Sequence, residues 1–339
     1  MREELEVIIN SCFNEGEACL SFMQWNEVLN EVDDDYTVYY LIDTVHYYMA
    51  YYCNSAINLS LVLYENKKAI AVFPLFAYKN SDGWILSSNG VFIFEPLFIT
   101  NITVNKRKRL EKKIMDMIIK LSKQLDIKTN KFSTQFNKIS SWYLLWLEVA
   151  NNEFVNHHLV VNLDSSIEFI KSNFRKRYKP LITKAIREWN ISICTDNIYN
   201  VFEDFRVLHR EVSGRVTRSL DTWEIQLRQI INNEAFLVTV RDANGNLVGG
   251  GLFTFTRKIG VYSVGVYRRE LFHMPIGHGV QFKAIEHLKA LGCKWYEIGQ
   301  RQYLIDMYPP TEKELSISHF KEGFATNYFV RPFLMVKIV

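Results

Sequence analysis

Phe236-Leu237-Val238-Thr239-Val240-Arg241 reads as a strand, and Leu247-Val248-Gly249-Gly250-Gly251-Leu252-Phe253-Thr254-Phe255-Thr256 as its returning partner. Between them Ala243-Asn244-Gly245-Asn246 supplies a tight turn. Lys258-Ile259-Gly260 then turns the chain into a third strand, Val261 to Tyr267. A helical pattern follows over Gly277 to Leu291, and an apolar strand of the parallel type over Trp295 to Ile298. Three meandering strands, a helix and a parallel return make an α/β layer.

Outward from this core, Leu159 to Leu163 is a strand and Ile167 to Trp189 is helical, entered through Asp164-Ser165-Ser166, which offers N-caps. Pro180 should kink that helix or divide it. Asn200 to Ser213 and Leu220 to Asn232 are helices, Ile317 to Glu322 is a short element, and Phe329 to Ile338 is the closing strand. The first half has a similar order. A short helix runs over Glu3 to Cys19, and a tyrosine-rich helix over 36–53. A hairpin joins Leu59 to Tyr64 with Ala69 to Tyr78, and short strands cover Trp84 to Ser87 and Pro96 to Ile99. The stripe Leu110, Ile114, Met117, Ile118 and Leu121 marks Lys106 to Leu125 as an amphipathic helix. Lys131 to Thr134 and Trp142 to Val149 read as further strands. No residue-level repeat links the halves. The polar step Asn151-Asn152-Glu153 divides the chain into 1–152 and 153–339.

At 339 residues the chain is long enough for two domains. With 48% hydrophobic and 23% charged residues it has the balance of a globular protein, and scarce Gly (15) and Pro (7) imply mostly regular structure. A net charge of +3 is too small to argue by itself for nucleic acid. Cys12, Cys19, Cys53, Cys194 and Cys293 are odd in number and form no CxxC pair, which points to buried thiols in a reducing compartment and not to a zinc site. Met1-Arg2-Glu3-Glu4 precedes no apolar signal core, and stretches such as Ala69 to Ala77 are too short for a membrane span, so the expected location is cytoplasmic. No hydrolase elbow, phosphate loop or zinc-protease motif occurs. His273, His278 and His287 are too irregularly spaced for a metal site, so none is expected.

Several stretches together resemble the acetyltransferase superfamily GNAT, in the branch of the Fem peptidyltransferases and their acyltransferase relatives in polysaccharide synthesis. They are Asn173-Phe174-Arg175-Lys176-Arg177-Tyr178 with Lys184-Ala185, Asn244 through Gly250, Cys293-Lys294-Trp295-Tyr296-Glu297-Ile298-Gly299, and Ile317-Ser318-His319-Phe320-Lys321-Glu322-Gly323-Phe324. The last is similar to the family's near-terminal I-x-x-F-K-x-G-F signature. In the first half, Ser88-Asn89-Gly90 through Glu95-Pro96-Leu97-Phe98 also fits. The resemblance implies tandem GNAT-like domains, each a mixed, mostly antiparallel sheet flanked by helices, with a scaffold domain first and a catalytic domain second. It implies an acyltransferase of groups other than aminoacyl groups. Such an enzyme would use acetyl-CoA or another acyl-CoA and act on an amino sugar, a nucleotide-linked sugar or a surface-polysaccharide precursor. Met274 stands where the superfamily's acyl-CoA loop has a basic or amide residue. The alternatives are a Fem-like transferase using aminoacyl-tRNA on a cell-wall precursor, for which the helical arm of such enzymes is missing here, and a catalytically inactive binding subunit.

Acyl transfer needs a held donor, a polarised carbonyl, an oriented acceptor and a route for a proton. Gly277, His278 and Gly279 open a helix, where free N–H groups and the dipole favour a phosphate. Glu297, at the end of a strand, is a candidate base, with a structural pairing to Arg301 or Lys321 as the plainer reading. His209 is a second candidate base, or an ordinary structural histidine. Arg215 and Arg218 fit anion binding from a loop, and Trp223 could stack on a sugar or base. Arg175 and Tyr178, in a basic helix, are candidates for a nucleotide diphosphate or tRNA, and Arg301 and Lys321 complete the expected substrate set.

Overall fold

The computed structural model describes residues 1–33, 35–52, 55–134 and 138–338. Cys53 lies outside them. The chain forms two compact units, Met1–Val155 with Val330–Val339, and Asn156–Phe329. Relative to the reading from sequence, the division comes slightly later, and the last ten residues go with the first unit. The fold class is the expected one: α/β, with mostly antiparallel sheets flanked by helices. No described helix is long and apolar enough to cross a membrane.

In the first unit Leu61–Glu65 pairs with Lys68–Phe73, flanked by Ala18–Cys19 and Leu97–Phe98. The expected long second arm of this hairpin is two strands. Past Pro74 the chain enters Phe76–Asn80, which pairs with Gly83–Ser87 in a separate three-stranded sheet. The stretch 142–149 is a helix, Ser141–Leu147, and not a strand. Ser140 caps it by accepting from the Tyr143 N–H, and Trp142, Tyr143 and Trp146 share its buried face at helical spacing. The amphipathic helix is Val104–Gln124, and its Arg107 neutralises two buried carboxylates, Glu95 at 3.4 Å and Glu111 at 2.8 Å. Of the described cysteines only Cys293 is buried, and Cys19 is exposed.

In the second unit the strands run in the order Asn190–Ile193, Ala235–Arg241, Leu247–Phe255, Ile259–Tyr267, Trp295–Arg301 and Asn152–Asn162. Alternation along Ala235–Arg241 builds two cores. Phe236, Val238 and Val240 pack with the helices Tyr178–Glu188 and Ile276–Ala290. Leu237 packs on the other face with Phe202, Phe205 and Trp223 of the helices Ile198–Ser213 and Leu220–Ile231. The long helix expected over 167–189 is two, Ile167–Asn173 and Tyr178–Glu188, with Pro180 in the first turn of the second, where its missing N–H costs nothing.

One pairing positions the site. Ile259–Tyr267 and Trp295–Arg301 are parallel neighbours over three pairs only, Ile259–Trp295, Gly260–Tyr296 and Val261–Glu297. Beyond them the first strand stays with Leu247–Phe255 and the second with Asn152–Asn162. The sheet therefore opens into a V at Tyr262 and Ile298.

The helix Glu312–Glu322 lies against Trp295–Arg301, started by a Thr311–Glu314 capping box. Its end abuts Tyr178, and a Cβ on Gly323 would stand 2.2 Å from the tyrosine ring. Gly323→Ala should therefore destabilise the fold by about 1–3 kcal/mol through overpacking. Urea denaturation checks this, and an unchanged midpoint would contradict the packing.

Candidate functional site

The opening of the V is occupied by Lys321. Its Nζ lies 5.4 Å from the Tyr262 ring centroid and would be 2.6 Å from a Cβ on Gly299. Gly299 has φ +146°, which a side chain rarely adopts, and it follows a register shift opposite Val160 and Leu159. A bulge and a glycine thus make room for an ammonium group in the sheet. Burial lowers the Lys321 pKa, and the charge of Glu297 opposes that shift.

Glu297 is 7% exposed and shares a 2.6 Å hydrogen bond between its Oε1 and Nδ1 of His158, which is 2% exposed. On the other side, the Tyr262 hydroxyl lies 3.2 Å from that of Tyr267. Burial raises both phenols, so they stay protonated hydrogen-bond donors. Lys321, Glu297 and His158 therefore form a polar group where the sheet opens.

The I-x-x-F-K-x-G-F stretch is what holds this group. Ser318 Oγ accepts from Arg301 Nη1 at 3.0 Å and from the Gln302 N–H at 3.1 Å. Glu322 accepts from Arg301 Nε at 2.9 Å, from the Tyr328 hydroxyl at 3.0 Å and from Arg175 at 3.4 Å. Phe324 is fully buried, and Phe320 packs on Tyr178 and His278.

Several residues expected to meet substrate have structural contacts. Tyr178 is 2% exposed, its hydroxyl donating to Phe320 O at 2.9 Å, so it has no face for a base. Arg175 also donates to His319 O at 3.1 Å, so Arg175 and Arg301 are both spent on anchoring the helix Glu312–Glu322. Trp223 is 5% exposed in the core, with the Arg218 guanidinium 4.7 Å from its ring centroid and His209 packed edge-on at 5.1 Å. Arg218 also donates to Gln226 Oε1 at 3.4 Å. Arg215 is exposed on its loop.

The glycine cradle is a helix start. Gly277, His278 and Gly279 lie in the first turn of Ile276–Ala290. The N–H groups of His278 and Gly279 both donate to Pro275 O. A Cβ on Gly279 would lie 2.3 Å from Ile191 and 3.0 Å from Ala185, so this glycine lets a helix and a strand approach. A Cβ on Gly277 would make only ordinary contacts, 3.4 Å from Phe320 and 3.7 Å from Tyr267. Among the described residues no group of three or more His, Cys, Asp or Glu gathers as a metal site.

Sequence reading missed His158 and Tyr262. His157-His158 ahead of the apolar run Leu159 to Leu163 was the available signal. It also missed a cleft of about 670 Å³ whose walls include Asp204, Glu211, Arg241 and Arg268, and which neither Arg215 nor Arg218 lines.

No protein-family model matches the chain, and no curated protein matches it in sequence. Its fold is that of FemX. The crystal structure of FemX matches with a TM-score of 0.58 at 11% identity, covering 87% of this chain and 96% of that one. The C-terminal domain of a putative lysylphosphatidylglycerol synthetase from Agrobacterium fabrum matches at 0.60 and 9% identity, covering 93% and 91%. L-PGS from Bacillus licheniformis matches at 0.59 and 11%, covering 96% and 94%. These are likenesses of fold.

Two outcomes follow from this geometry. Gly299→Ala meets both a strained φ and Lys321, so it should lower stability by more than about 1 kcal/mol and displace the lysine. Thermal unfolding and the NMR shift of the Lys321 Nζ check it. His209 and His278 are each lowered by burial, then by Arg218 and Arg177 respectively, to about 4 from an ordinary 6.5. Because the folded pKa is the lower one, their contribution is complete above 6.5 and is lost as pH falls from 6.5 towards 4. Tm measured across that window should fall, and His209→Gln with His278→Gln should flatten the slope.

Proposed function

We propose that this protein is an acyltransferase, joining an activated acyl group to an amine or hydroxyl of a small or precursor-linked acceptor. The observation that carries the reading is the Lys321 ammonium set in the open V of the sheet, beside a buried carboxylate. A donor carbonyl entering the V would meet a preorganised cation in a dry setting, which favours charge developing on the carbonyl oxygen. Removing one such donor typically costs about 10²–10³ in kcat.

For the donor we infer an aminoacyl ester carried on tRNA. Two observations support this over acyl-CoA. The N–H groups of His278 and Gly279, in the helix's first turn where a CoA phosphate would sit, already donate to Pro275 O. The fold is also shared with FemX, with the C-terminal domain of a putative lysylphosphatidylglycerol synthetase and with L-PGS. With this donor the acceptor class implied by the resemblance is a cell-wall precursor, while an amino sugar, nucleotide-linked sugar or surface-polysaccharide precursor goes with acyl-CoA. Acyl-CoA is the second reading, favoured by the Ile276 and Gly277 N–H groups. Among the described residues these two amides of the first turn bond to no backbone carbonyl, and they could hold a phosphate.

The test uses purified protein with a 3′-aminoacyl-adenosine amide, a stable mimic of the charged tRNA end, and separately with acetyl-CoA. The mimic should raise Tm and acetyl-CoA should not. Lys321→Ala should cut turnover of aminoacyl-tRNA by about 10²–10³. A shift with acetyl-CoA alone would select the second reading. No shift and no turnover with either donor would overturn acyl transfer.

A further inference from the structure

Resting on that reading, we infer that Glu297 takes the acceptor's proton and that His158 is its positioning residue. Three observations point there. The two side chains are buried, 7% and 2% exposed, although each is a group whose charged form water would stabilise. Their 2.6 Å hydrogen bond joins neighbouring antiparallel strands. Glu297 also stands where the parallel pairing ends, at the entrance of the V, with Lys321 close enough for its charge to be felt. In the first unit the buried carboxylates Glu95 and Glu111 are neutralised by an arginine within a packed layer. Glu297 has a histidine behind it and a lysine across an opening.

Among the groups facing Glu297 are His158 from Asn152–Asn162 and Lys321 from Glu312–Glu322, whose Nζ also lies over the Tyr262 ring. Ionised Glu297 accepts the Nδ1–H of His158, which fixes its orientation. The acceptor N–H or O–H attacks the donor carbonyl carbon, and the new bond forms as its proton passes to Glu297. The carbonyl π electrons move to the oxygen facing Lys321. When the intermediate collapses, the bond to the leaving oxygen breaks, and that oxygen takes the proton back from Glu297. Glu297 is then restored, and neither oxidant nor metal enters the balance.

The base must be ionised to act, so turnover should rise with pH along an acid limb. Glu297→Gln should lower kcat by about 10²–10⁴ and remove that limb, leaving the Tm shift given by the aminoacyl-adenosine amide unchanged. His158→Gln should move the limb's midpoint and lower kcat with KM little changed. A Glu297→Gln protein that keeps kcat within about threefold, or that loses donor binding in parallel with rate, would overturn the assignment. An activity-free readout separates this from failure of the acyltransferase reading. The His158 Nδ1 proton should give a strongly downfield, slowly exchanging NMR signal that Glu297→Gln abolishes and Lys321→Gln shifts. A signal indifferent to both substitutions would overturn the pair even if the protein is an acyltransferase. An intact signal in a protein inactive with every donor would overturn the function and, with it, the relay.

Discussion

Everything distinctive in the second unit follows from two parallel strands that stay together for only three residue pairs. A sheet that opens exposes backbone groups and an apolar interior, and something must fill the gap. Here the filler is the side chain of Lys321, admitted by a bulge and by Gly299. A lysine in such a place needs a rigid support. Arg301 and Arg175 tie Glu322 from two sides, Ser318 receives Arg301, and Gly323 lets Tyr178 close against the helix end. Many of the arginines and aromatics that look like a binding surface in the sequence are this support.

Burying opposite charges is rarely a net gain in stability, because desolvation opposes the attraction. The first unit handles the problem in the ordinary way, with Arg107 bridging Glu95 and Glu111 and Ser141 completing the hydrogen bonds to Glu111. The second unit keeps Lys321 and Glu297 at the edge of an opening, with a histidine as the third member. The same residue types thus have two roles, and position in the sheet separates them.

Much of the fold was legible in the sequence. The hairpin around Asn244 to Asn246, the amphipathic helix of the first unit and the break near Pro180 rest on local rules of turn chemistry, periodicity and backbone restriction. The helix Ser141–Leu147 was misread because a short run of aromatics fits either period, and its Ser140 cap decided it. Trp223 and Tyr178 were assigned to ligands because composition cannot tell a ring in a core from a ring on a surface. The His158–Glu297 pair was out of reach for another reason: 139 residues separate its members, and only strand register brings them together. Lys321 was visible through the signature, but its place in the V depends on a three-pair ladder that no local rule encodes.

The most direct test of this account is a crystal structure with a 3′-aminoacyl-adenosine amide bound. The account predicts the acyl carbonyl oxygen within hydrogen-bonding distance of Lys321 Nζ, between the diverging strands Ile259–Tyr267 and Trp295–Arg301. An acyl group bound away from the V, for instance in the cleft lined by Asp204 and Arg268, would contradict it.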